Sequence, residues 1–498
     1  MSKNKRLFVK NALVLTVTAF ILRAAGMVFR VWLSDTIGAE GMGLYSLVIS
    51  VYLLASCFAT SGLSTAVTRL VSDELVCGSA SSVKRIVKKS FFLTALISVV
   101  MTAIFFFFAE PIAVYWIKDI RTADAIRILS FSLPFMGISS CIRGYFMARK
   151  KPSAPSAANI FEQTIRMICA VLLLSNLYDG DLKSACFCVL CADTVAEICS
   201  CTYVYIAYLL DRRKIKATSD SVHQSGMKQL VSVSAPIIAG RYLQTALHTA
   251  ESMLVPRTLC MYKGTRSEAV SVFGMLKGMA MPVIFFPTSF LNSMSTLLIA
   301  EVSGAAAAGD KDKIRRNVNK AIHITLYSSF AATGVFFCCA DEISSILYKS
   351  NEVGSMIRFL ALLIPFMYLE NVIDGILRGL NEHGSVFLYS AIDSVIRIVL
   401  ILTVVPSFGL IGFFAIMAVS NTFTSTMNLR KLLMRADVKF DFVKYIFKPF
   451  ICTAVAVFAA VNITGTTIFL CCVKLLVCIG VYLAMSAVTN AISFADLR

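Results

Sequence analysis

Two arginines, Arg23 and Arg30, lie inside the first long apolar stretch of the chain, which runs from Leu7 to Leu33. A charged side chain at bilayer depth costs roughly 2.5–3.5 kcal/mol on insertion scales, so membrane proteins keep such residues where they face a water-filled cavity, a partner or a substrate. The two arginines share one face of a helix because their positions differ by about two turns. Since guanidinium groups bind phosphate and pyrophosphate bidentately, this face is a candidate site for an anionic group.

A third arginine extends this hypothesis to another part of the chain. Arg241 aligns with Arg23 when the second half of the sequence is laid over the first, in the register that also pairs Lys10 with Lys228. We therefore expect Arg23 and Arg241 to face each other across a central cleft, with Arg30 extending the same basic face. In the alternative interpretation, these arginines neutralise buried acids or extend to the membrane interface.

Two acid–arginine pairs occupy i,i+4 positions on predicted helices, Glu162 with Arg166 and Asp393 with Arg397. Such a pair either forms an intrahelical ion pair that makes burial cheaper, or lines a cavity and exchanges partners between conformations. Four further acids at the same spacing either hold a coupling cation such as H⁺ or Na⁺ or balance the arginines. These acids are Asp193, Glu197, Glu370 and Asp374.

The elements that must position these side chains are membrane spans. The 498-residue chain is 57% hydrophobic and only 15% charged, whereas soluble domains carry about 25% charged residues. Apolar runs of about 20 residues, enough to cross the hydrocarbon core, recur along the whole chain. The sequence therefore predicts an all-α membrane protein with about 14 transmembrane helices. The predicted spans are 8–32, 43–68, 90–109, 123–147, 157–177, 184–210, 227–250, 267–300, 321–340, 354–377, 385–405, 409–429, 446–464 and 466–490.

The net charge of +18 indicates membrane topology rather than nucleic-acid binding. Basic runs such as 84–89, 149–151 and 212–214 all fall on the same predicted side of the membrane. Because basic residues concentrate in cytoplasmic loops, this bias predicts that both termini are cytoplasmic. The same runs indicate affinity for anionic membrane lipids.

An internal repeat organises the spans. Several motifs align when the second half of the chain is shifted against the first by one constant number of residues. The matched spans are six apart, and an even shift keeps each span in the same orientation across the membrane, so the repeats are parallel. This repeat offset pairs Gly43 with Gly274, Pro134 with Pro365, Glu162 with Asp393, and Arg166 with Arg397. The pattern predicts two six-helix lobes, 1–215 and 216–440, and an appended C-terminal helix pair over 441–498. This plan is typical of transporters that bind substrate between their halves near the membrane midplane.

Proline and cysteine positions add two expectations. Pro134 and Pro365 are mid-span, where proline removes a helix hydrogen bond, so they are candidate hinges or fixed bends. The cysteines at 186, 188 and 191 are assigned to apolar packing rather than metal binding. The sequence contains no P-loop, zinc-protease or dinucleotide motif, so we predict a protein that is not an enzyme and uses no cofactor or metal.

Three segments carry a family resemblance: 23–30 (RAAGMVFR), 38–45 (GAEGMGLY) and 61–73 (SGLSTAVTRLVSD). They resemble the stage V sporulation protein B branch of oligosaccharide flippases, in the multidrug/oligosaccharidyl-lipid/polysaccharide (MOP) exporter superfamily. The resemblance implies alternating-access movement of a lipid-linked oligosaccharide or peptidoglycan precursor, such as lipid II, across the bacterial cytoplasmic membrane, and an association with sporulation. In similar flippases, first-helix arginines engage the pyrophosphate, and Arg23 matches such a position well and Arg30 approximately.

The resemblance also implies a role for the appended helices, which in similar flippases help to form a groove for the lipid tail. A second function from the same superfamily stays open, that of an ion-coupled multidrug or cation antiporter. The antiporter interpretation predicts a net-acidic cavity and usually twelve spans. The basic arginines and the extra helix pair favour the flippase.

Overall fold

The computed structural model describes residues 3–60, 63–77, 80–213, 227–463 and 468–489. All regular structure in these ranges is helical, which confirms the predicted all-α class. The α-helices are α1 (Lys3–Thr60), α2 (Leu63–Cys77), α3 (Ala80–Phe107), α4 (Ala109–Pro111), α5 (Ala123–Ser130), α6 (Ser132–Ala148), α7 (Ser153–Leu177), α8 (Leu182–Arg212), α9 (Met227–Lys263), α10 (Arg266–Gly274), α11 (Met281–Phe285), α12 (Thr288–Ala307), α13 (Lys311–Cys338), α14 (Ala340–Tyr348), α15 (Asn351–Ala361), α16 (Ile364–Gly379), α17 (His383–Ala436), α18 (Lys448–Val461) and α19 (Ile468–Val488). Three π-helical segments (Ile112–Ile117, Met275–Ala280 and Val443–Phe447) and one 3-10 turn (Ile120–Thr122) complete the order.

The helices have the length and composition of membrane spans. Within the described ranges, nine helices are long and apolar enough to cross a membrane, or eleven if each of two bent pairs counts as one span. The two longest helices, α1 and α17, have 58 and 54 residues, well beyond the ~20 that one crossing needs. The chain is thus a multi-pass membrane protein, and these helices are consistent with the predicted fourteen spans.

Each of the two longest helices is interrupted by one glycine. Gly38 in α1 has φ 70° and Gly409 in α17 has φ 58°, and neither is helical. Glycine adopts positive φ without the steric penalty of a Cβ, so the chain can turn there within a single residue. These breaks lie in or next to the predicted connections between spans one and two and between spans eleven and twelve.

Equivalent bends interrupt the fourth and tenth predicted spans. The axes of α5 and α6 differ by 43°, and those of α15 and α16 by 59°. Pro134 is the third residue of α6, and Pro365 is the second residue of α16. Proline is tolerated in the first helical turn, where its missing N–H has no intrahelical partner to lose. Bends therefore occur at both predicted positions, whereas a hinge role for these prolines stays a prediction.

The sequence repeat is also a structural repeat. At the repeat offset, both ends of α3 coincide with the ends of α13, and the start of the short α4 coincides with the start of α14. Lys118 and Lys349, which are paired by the same offset, both adopt the left-handed conformation, with φ 63° and 51°. A non-glycine residue rarely adopts this conformation, so its recurrence at equivalent positions indicates the same local path in both halves.

The chain forms two compact units. The first contains residues 1–29 and 44–253, and the second contains residues 30–43 and 254–498. In the second unit, α18 and α19 pack on α13, where the Thr453 hydroxyl donates to the Phe330 carbonyl (3.1 Å) and the Tyr482 hydroxyl to the Tyr327 carbonyl (2.8 Å). The predicted lobe boundary at 215/216 lies outside the described residues.

Candidate functional site

A network of buried charges in the first unit centres on Glu162 of α7. Arg166 NH2 lies 3.1 Å from Glu162 Oε1, and Arg143 NH2 of α6 lies 3.3 Å from Oε2. The Ser200 hydroxyl of α8 donates to the same Oε2 at 3.0 Å. The predicted i,i+4 ion pair therefore forms, and side chains from two further helices hold it within protein rather than lipid.

The two acids of α8 differ in their partners. Asp193 Oδ1 lies 2.7 Å from Arg166 Nε, and Oδ2 accepts from the Tyr45 hydroxyl at 3.4 Å. Asp193 therefore balances an arginine, as one of the two interpretations of this pair expects. Glu197 is only 8% exposed and lies within electrostatic range of Glu162 and Arg166. In the described ranges it forms neither a hydrogen bond nor an ion pair.

The second unit repeats the central part of this network. Arg397 NH2 lies 2.5 Å from Asp393 Oδ2, and it donates to the Ser420 hydroxyl oxygen at 2.7 Å. The Ser420 hydroxyl donates to Asp393 Oδ1, also at 2.7 Å. A serine thus contacts the acid of the pair in both halves, Ser200 in one and Ser420 in the other. Sequence reasoning missed both serines, since an isolated serine in an apolar run carries no pattern of its own.

The remaining predicted acids lie on α16. Asp374 Oδ1 accepts from Asn428 Nδ2 at 2.7 Å, and Oδ2 lies 3.9 Å from Arg378 NH2. Glu370 is half-buried, and among the described residues it has no hydrogen bond or ion pair. At the repeat offset, Asp374 corresponds to Arg143, so the two networks share positions but differ in charge.

The three predicted headgroup arginines fall in different surroundings. Arg23 is half-buried and Arg241 is exposed, and both belong to the first unit. Arg30 is half-buried, belongs to the second unit, and lies within electrostatic range of Tyr348. That Arg23 and Arg241 face each other across a cleft stays a prediction.

An apolar groove of about 580 Å³ lies in the second unit between α13, α16, α17 and α18. Its lining contains no acidic or basic side chain. Lining residues include Phe330, Phe337, Pro365, Phe366, Phe442 and Phe450. The appended helix pair therefore contributes one wall of an apolar groove, and the proline at the α15–α16 bend borders it.

Metal binding finds no support in the described part of the chain, which contains no cluster of three His, Cys, Asp or Glu side chains able to hold an ion. Cys186 and Cys188 are fully buried in α8, at 0% and 1% exposure. Their burial is consistent with the predicted apolar packing.

Family comparison decides the class of this protein. A family model described as "Polysaccharide biosynthesis protein" matches residues 8–299, more than half of the chain. The chain belongs to this family. A second family model, MatE, matches residues 236–403.

Two Bacillus subtilis (strain 168) proteins are among the similar sequences. Stage V sporulation protein B is 25% identical over 414 residues, which cover 82% of this chain and 80% of that protein. Lipid II flippase MurJ is 21% identical over 415 residues, which cover 78% and 76% of the two proteins. The resemblance to the stage V sporulation protein B branch is thereby confirmed.

Solved structures agree on the fold. "Lipid II flippase MurJ, inward closed conformation" matches with a TM-score of 0.76 and 15% identity, over 97% of this chain and 99% of that chain. An inward-facing multidrug resistance MATE family transporter of the MOP superfamily matches with a TM-score of 0.67 and 12% identity, over 84% and 94%. This family member therefore has the fold of these membrane transporters. Because its relatives are transporters and flippases, the prediction that it is not an enzyme is confirmed.

Proposed function

We propose that this protein is a flippase that moves a lipid-linked oligosaccharide or peptidoglycan precursor across the cytoplasmic membrane by alternating access. Lipid II is the leading candidate substrate. The names of two relatives, stage V sporulation protein B and lipid II flippase MurJ, support this proposal and suggest a sporulation context. The proposed orientation has both termini in the cytoplasm, following the distribution of basic residues.

The apolar groove is the observation that carries the proposal. A polyprenyl pyrophosphate carrier needs an apolar surface for its tail and a basic site for its headgroup. The groove offers about 580 Å³ without a charged lining residue, and α18 of the appended pair forms part of it. A cationic drug would need an acidic partner for its charge, and this lining contains none. The match to the flippase structure over 97% of this chain also exceeds the 84% matched by the MATE transporter.

In this proposal the headgroup and the tail occupy separate places. Arg23 and Arg241 bind the pyrophosphate, with Arg30 on the same basic face, because charge-assisted guanidinium contacts suit phosphate oxygens. The saccharide occupies a water-filled cleft, and the tail lies in the groove or in surrounding lipid.

Two repeat-equivalent glycines mark a close helix contact in the second unit. Gly43 and Gly274 are repeat equivalents, and a methyl group on either would overlap a backbone carbonyl oxygen, that of Val270 or Ala39 respectively. Nearby, the Ser267 hydroxyl donates to Glu40 Oε2 at 2.6 Å. These backbones meet without side chains between them, so only glycine fits at either position.

The test is the accessibility of lipid-linked precursor at the outer leaflet in cells that rely on this chain alone. We expect Arg23→Ala combined with Arg241→Ala to lower outward accessibility at least ~10-fold, since each hydrogen bond to a charged group contributes about 1.5–3 kcal/mol. The matched control is Arg257→Ala, which removes an exposed arginine from the same helix as Arg241. Wild-type accessibility in the double variant would contradict the headgroup assignment.

A second candidate is an ion-coupled multidrug antiporter. It is favoured by Glu197 and Glu370, the two predicted acids that form no hydrogen bond or ion pair within the described ranges. In either case we propose that these acids, with Asp193 and Asp374, are where a coupling cation such as H⁺ or Na⁺ acts. Transport assays in vesicles under an imposed H⁺ or Na⁺ gradient distinguish the candidates. Gradient-driven export of a fluorescent cation without precursor movement would favour the antiporter.

The role of the two carboxyl groups has its own test. We expect Glu197→Gln or Glu370→Gln to abolish the gradient dependence of transport, because a neutral amide takes up no proton and lacks the negative charge that attracts a cation. Glu352→Gln is the control, since Glu352 is exposed in α15. Gradient dependence that survives in both the Glu197→Gln and the Glu370→Gln variant would remove these acids from the coupling proposal.

A further inference from the structure

Three cations and a single acid lie together where α6 and α8 end in the first unit. Lys151 Nζ lies 2.6 Å from Asp211 Oδ1, and Arg149 NH2 lies 3.3 Å from Asp211 Oδ2. The Tyr145 hydroxyl donates to the same Oδ2 at 2.9 Å. Arg212 follows Asp211 directly in α8 and is exposed, and within the described ranges it forms no ion pair. We call Arg149, Lys151, Asp211 and Arg212 the basic cluster.

Two tyrosine rings hold the two arginines of the basic cluster. The guanidinium carbon of Arg149 lies 6.0 Å from the centre of the Tyr145 ring, and that of Arg212 lies 5.9 Å from the centre of the Tyr208 ring. The two rings meet edge to face, with their centres 5.0 Å apart. Aromatic faces attract a cation within about 6 Å without neutralising it. Because one carboxylate is shared by three cations, the basic cluster keeps an excess of positive charge.

The turn at the end of α6 brings Lys151 onto this carboxylate. Lys150 has φ 56°, in the left-handed region that a non-glycine residue rarely adopts. The amides of Lys150 and Lys151 each donate to a carbonyl in the last turn of α6 at 3.0 Å, as in a Schellman helix end. At the repeat offset, Asn381 has the same conformation, with φ 64°, but Glu382 stands in place of Lys151. The same turn therefore carries a base in one repeat and an acid in the other, so the fold itself does not require the basic cluster.

A fourth cation lies at the same end of the first unit, on α3. Helices α3 and α6 are antiparallel, as shown by the contacts Thr94–Cys141 (3.0 Å) and Thr102–Ser130 (3.1 Å). The Phe91 ring of α3 lies 5.9 Å from the Tyr208 ring. Lys88 is three residues before Phe91, so it lies on the same face of α3 and nearer to the ends of α6 and α8. Lys88 is exposed and forms no ion pair with any residue that the structure describes.

Next to these cations, α8 presents exposed large side chains along the predicted span. Tyr205 is 42% exposed and Leu210 is 58% exposed. Tyr205 is seven residues before Arg212, so the two share one face of α8 about 10 Å apart along the helix axis. A ligand that fits this surface has an anionic group at one end and apolar chains at the other. A membrane phospholipid has this layout, and a guanidinium group binds its phosphate oxygens bidentately.

We propose that the basic cluster, together with Lys88, binds the phosphodiester of an anionic phospholipid whose acyl chains lie along α8 beside Tyr205. The basic runs of the sequence indicate a general attraction to anionic lipids, whereas this proposal assigns one headgroup to one place. Arg212 and Lys88 supply charges that no carboxylate shares, and Asp211 positions the other two cations. A zwitterionic phospholipid binds more weakly, because its own cationic group is repelled. The inference stands apart from the substrate assignment, since none of these residues belongs to the proposed pyrophosphate site or to the coupling acids.

The test is the affinity of the full-length protein in detergent for phosphatidylglycerol, compared with phosphatidylcholine that has the same acyl chains. Because a ligand that binds only the folded protein stabilises it, Kd follows from the rise of Tm with lipid concentration. We expect tighter binding of phosphatidylglycerol, and we expect Arg212→Gln to weaken it about 10-fold, as for the loss of one charge-assisted hydrogen bond. Equal affinity for the two lipids would overturn the proposal. Inorganic phosphate should leave Tm unchanged; if it stabilises the protein as well as the lipid does, the site takes a free phosphate and the lipid assignment is wrong.

Two matched variants separate a defined site from diffuse surface charge. Arg213→Gln removes the next arginine, which is also exposed, and Lys183→Gln removes a lysine at the other end of α8. Both should leave the affinity for phosphatidylglycerol nearly unchanged, and a loss in Arg213→Gln equal to that in Arg212→Gln would refute the site. Cations that only balance the C-terminal dipoles of α6 and α8 would affect Tm without lipid but not the selectivity between lipids, which would also refute it. If Arg212→Gln fails to fold, Lys88→Gln on α3 provides the same test.

Discussion

Helices α3 and α13 occupy the same position in the two repeats, yet their outer faces differ. On α3, Phe92 is 68% exposed and Leu96 is 54% exposed. Their equivalents on α13, His323 and Tyr327, are 6% and 8% exposed, because the appended segment that ends in α18 and α19 covers them. Helix α3 thus presents large apolar side chains outward, whereas α13 has side chains with polar atoms at the equivalent positions.

The ends of the two helices differ in side-chain size as well. Phe107 is the last residue of α3 and is 75% exposed, and the adjacent Phe108 is 57% exposed. At the repeat offset, Cys338 and Cys339, which are 4% and 0% exposed, replace these phenylalanines. The large side chains suit contact with lipid, and the small ones allow a helix to approach.

These differences show what is needed to add two helices to one half of a pseudo-symmetric membrane protein. Lipid tails are as apolar as leucine, so helices associate in membranes through close packing of small residues and interhelical hydrogen bonds. Helix α13 offers both. Gly334 and the terminal cysteine provide small residues, and Tyr327 and Phe330 accept hydrogen bonds from the appended helices at their carbonyls.

The strongest way to break this arrangement is to remove one partner of the Lys474–Glu342 ion pair. The two side chains are 8% and 9% exposed. Lys474→Ala should destabilise the protein by about 3–5 kcal/mol, because it leaves a buried carboxylate uncompensated. Thermal or denaturant unfolding in detergent measures the loss. In the first repeat, Pro111 stands at the position of Glu342, so the pair belongs to the half that carries α19.

The matched control for this prediction is Lys349→Ala in the same unit. Lys349 Nζ lies 2.9 Å from Asp35, but their side chains are 75% and 64% exposed. An exposed pair contributes only about 0–1 kcal/mol. Replacing both buried partners, as in Lys474→Met with Glu342→Leu, should recover most of the stability. Equal losses for the buried and the exposed lysine would refute the importance of the buried pair.

A smaller effect should follow from placing a large side chain between α13 and α19. A methyl group at Gly334 would lie 3.3 Å from Thr453 Cγ2 and 3.5 Å from Cys478 Sγ, so a phenyl ring does not fit. Gly334→Phe should lower the free energy of unfolding by about 1–3 kcal/mol, because the added ring overpacks this contact, and it should displace α19 from α13. Alkylation of Cys478, now 1% exposed, should rise accordingly.

The same substitution at the equivalent position of the first repeat sharpens the comparison. Ala103 of α3 corresponds to Gly334 and is exposed. Ala103→Phe adds a phenyl ring to an uncovered face, so it should cost only about 0.5 kcal/mol, the difference in helix propensity. It should leave the alkylation of Cys478 unchanged. If Cys478 stays protected in Gly334→Phe, close packing at Gly334 is not what holds α19 in place.

Local patterns in the sequence were sufficient for part of this architecture. The ion pairs Glu162–Arg166 and Asp393–Arg397 were predictable because a helix fixes which residues lie four apart. The positions of the two bends followed from Pro134 and Pro365, because proline restricts its own backbone. The internal sequence repeat predicted that the two halves share one structure, because the same spacing of apolar spans recurs in each half.

Contacts between distant helices were beyond sequence reasoning. Lys474 and Glu342 lie far apart in the chain, and the appended pair has no counterpart in the first repeat from which its docking could be read. Ser200 and Ser420 reach their carboxylates only because of the rotation of one helix against its neighbour. Such partners depend on packing register, which hydropathy does not encode.

The smallest predicted effect is a change in how stability depends on pH. It is tested at two helix connections that occupy equivalent positions in the two repeats. Glu382 lies between α16 and α17, with Lys431 Nζ and Arg435 Nε each 3.3 Å from its carboxylate oxygens. Burial alone would raise the pKa of Glu382, but these two cations and the Ser385 hydroxyl outweigh it and hold the pKa below its usual range. The stabilisation is therefore present at neutral pH and is lost as pH falls through that lowered pKa.

The charges are reversed in the first repeat, where Lys151 stands at the position of Glu382 and lies 2.6 Å from Asp211. Glu382→Gln should weaken the loss of stability on acidification, by no more than about 1 kcal/mol because water screens ion pairs near the surface. Lys151→Gln should leave that loss nearly intact, because Asp211 keeps its hydrogen bond from Tyr145 and its ion pair with Arg149. Unfolding midpoints measured from pH 7 downwards separate the two variants. If Glu382→Gln and Lys151→Gln change the loss of stability on acidification equally, the reversed charges are equivalent in energy as well as in position.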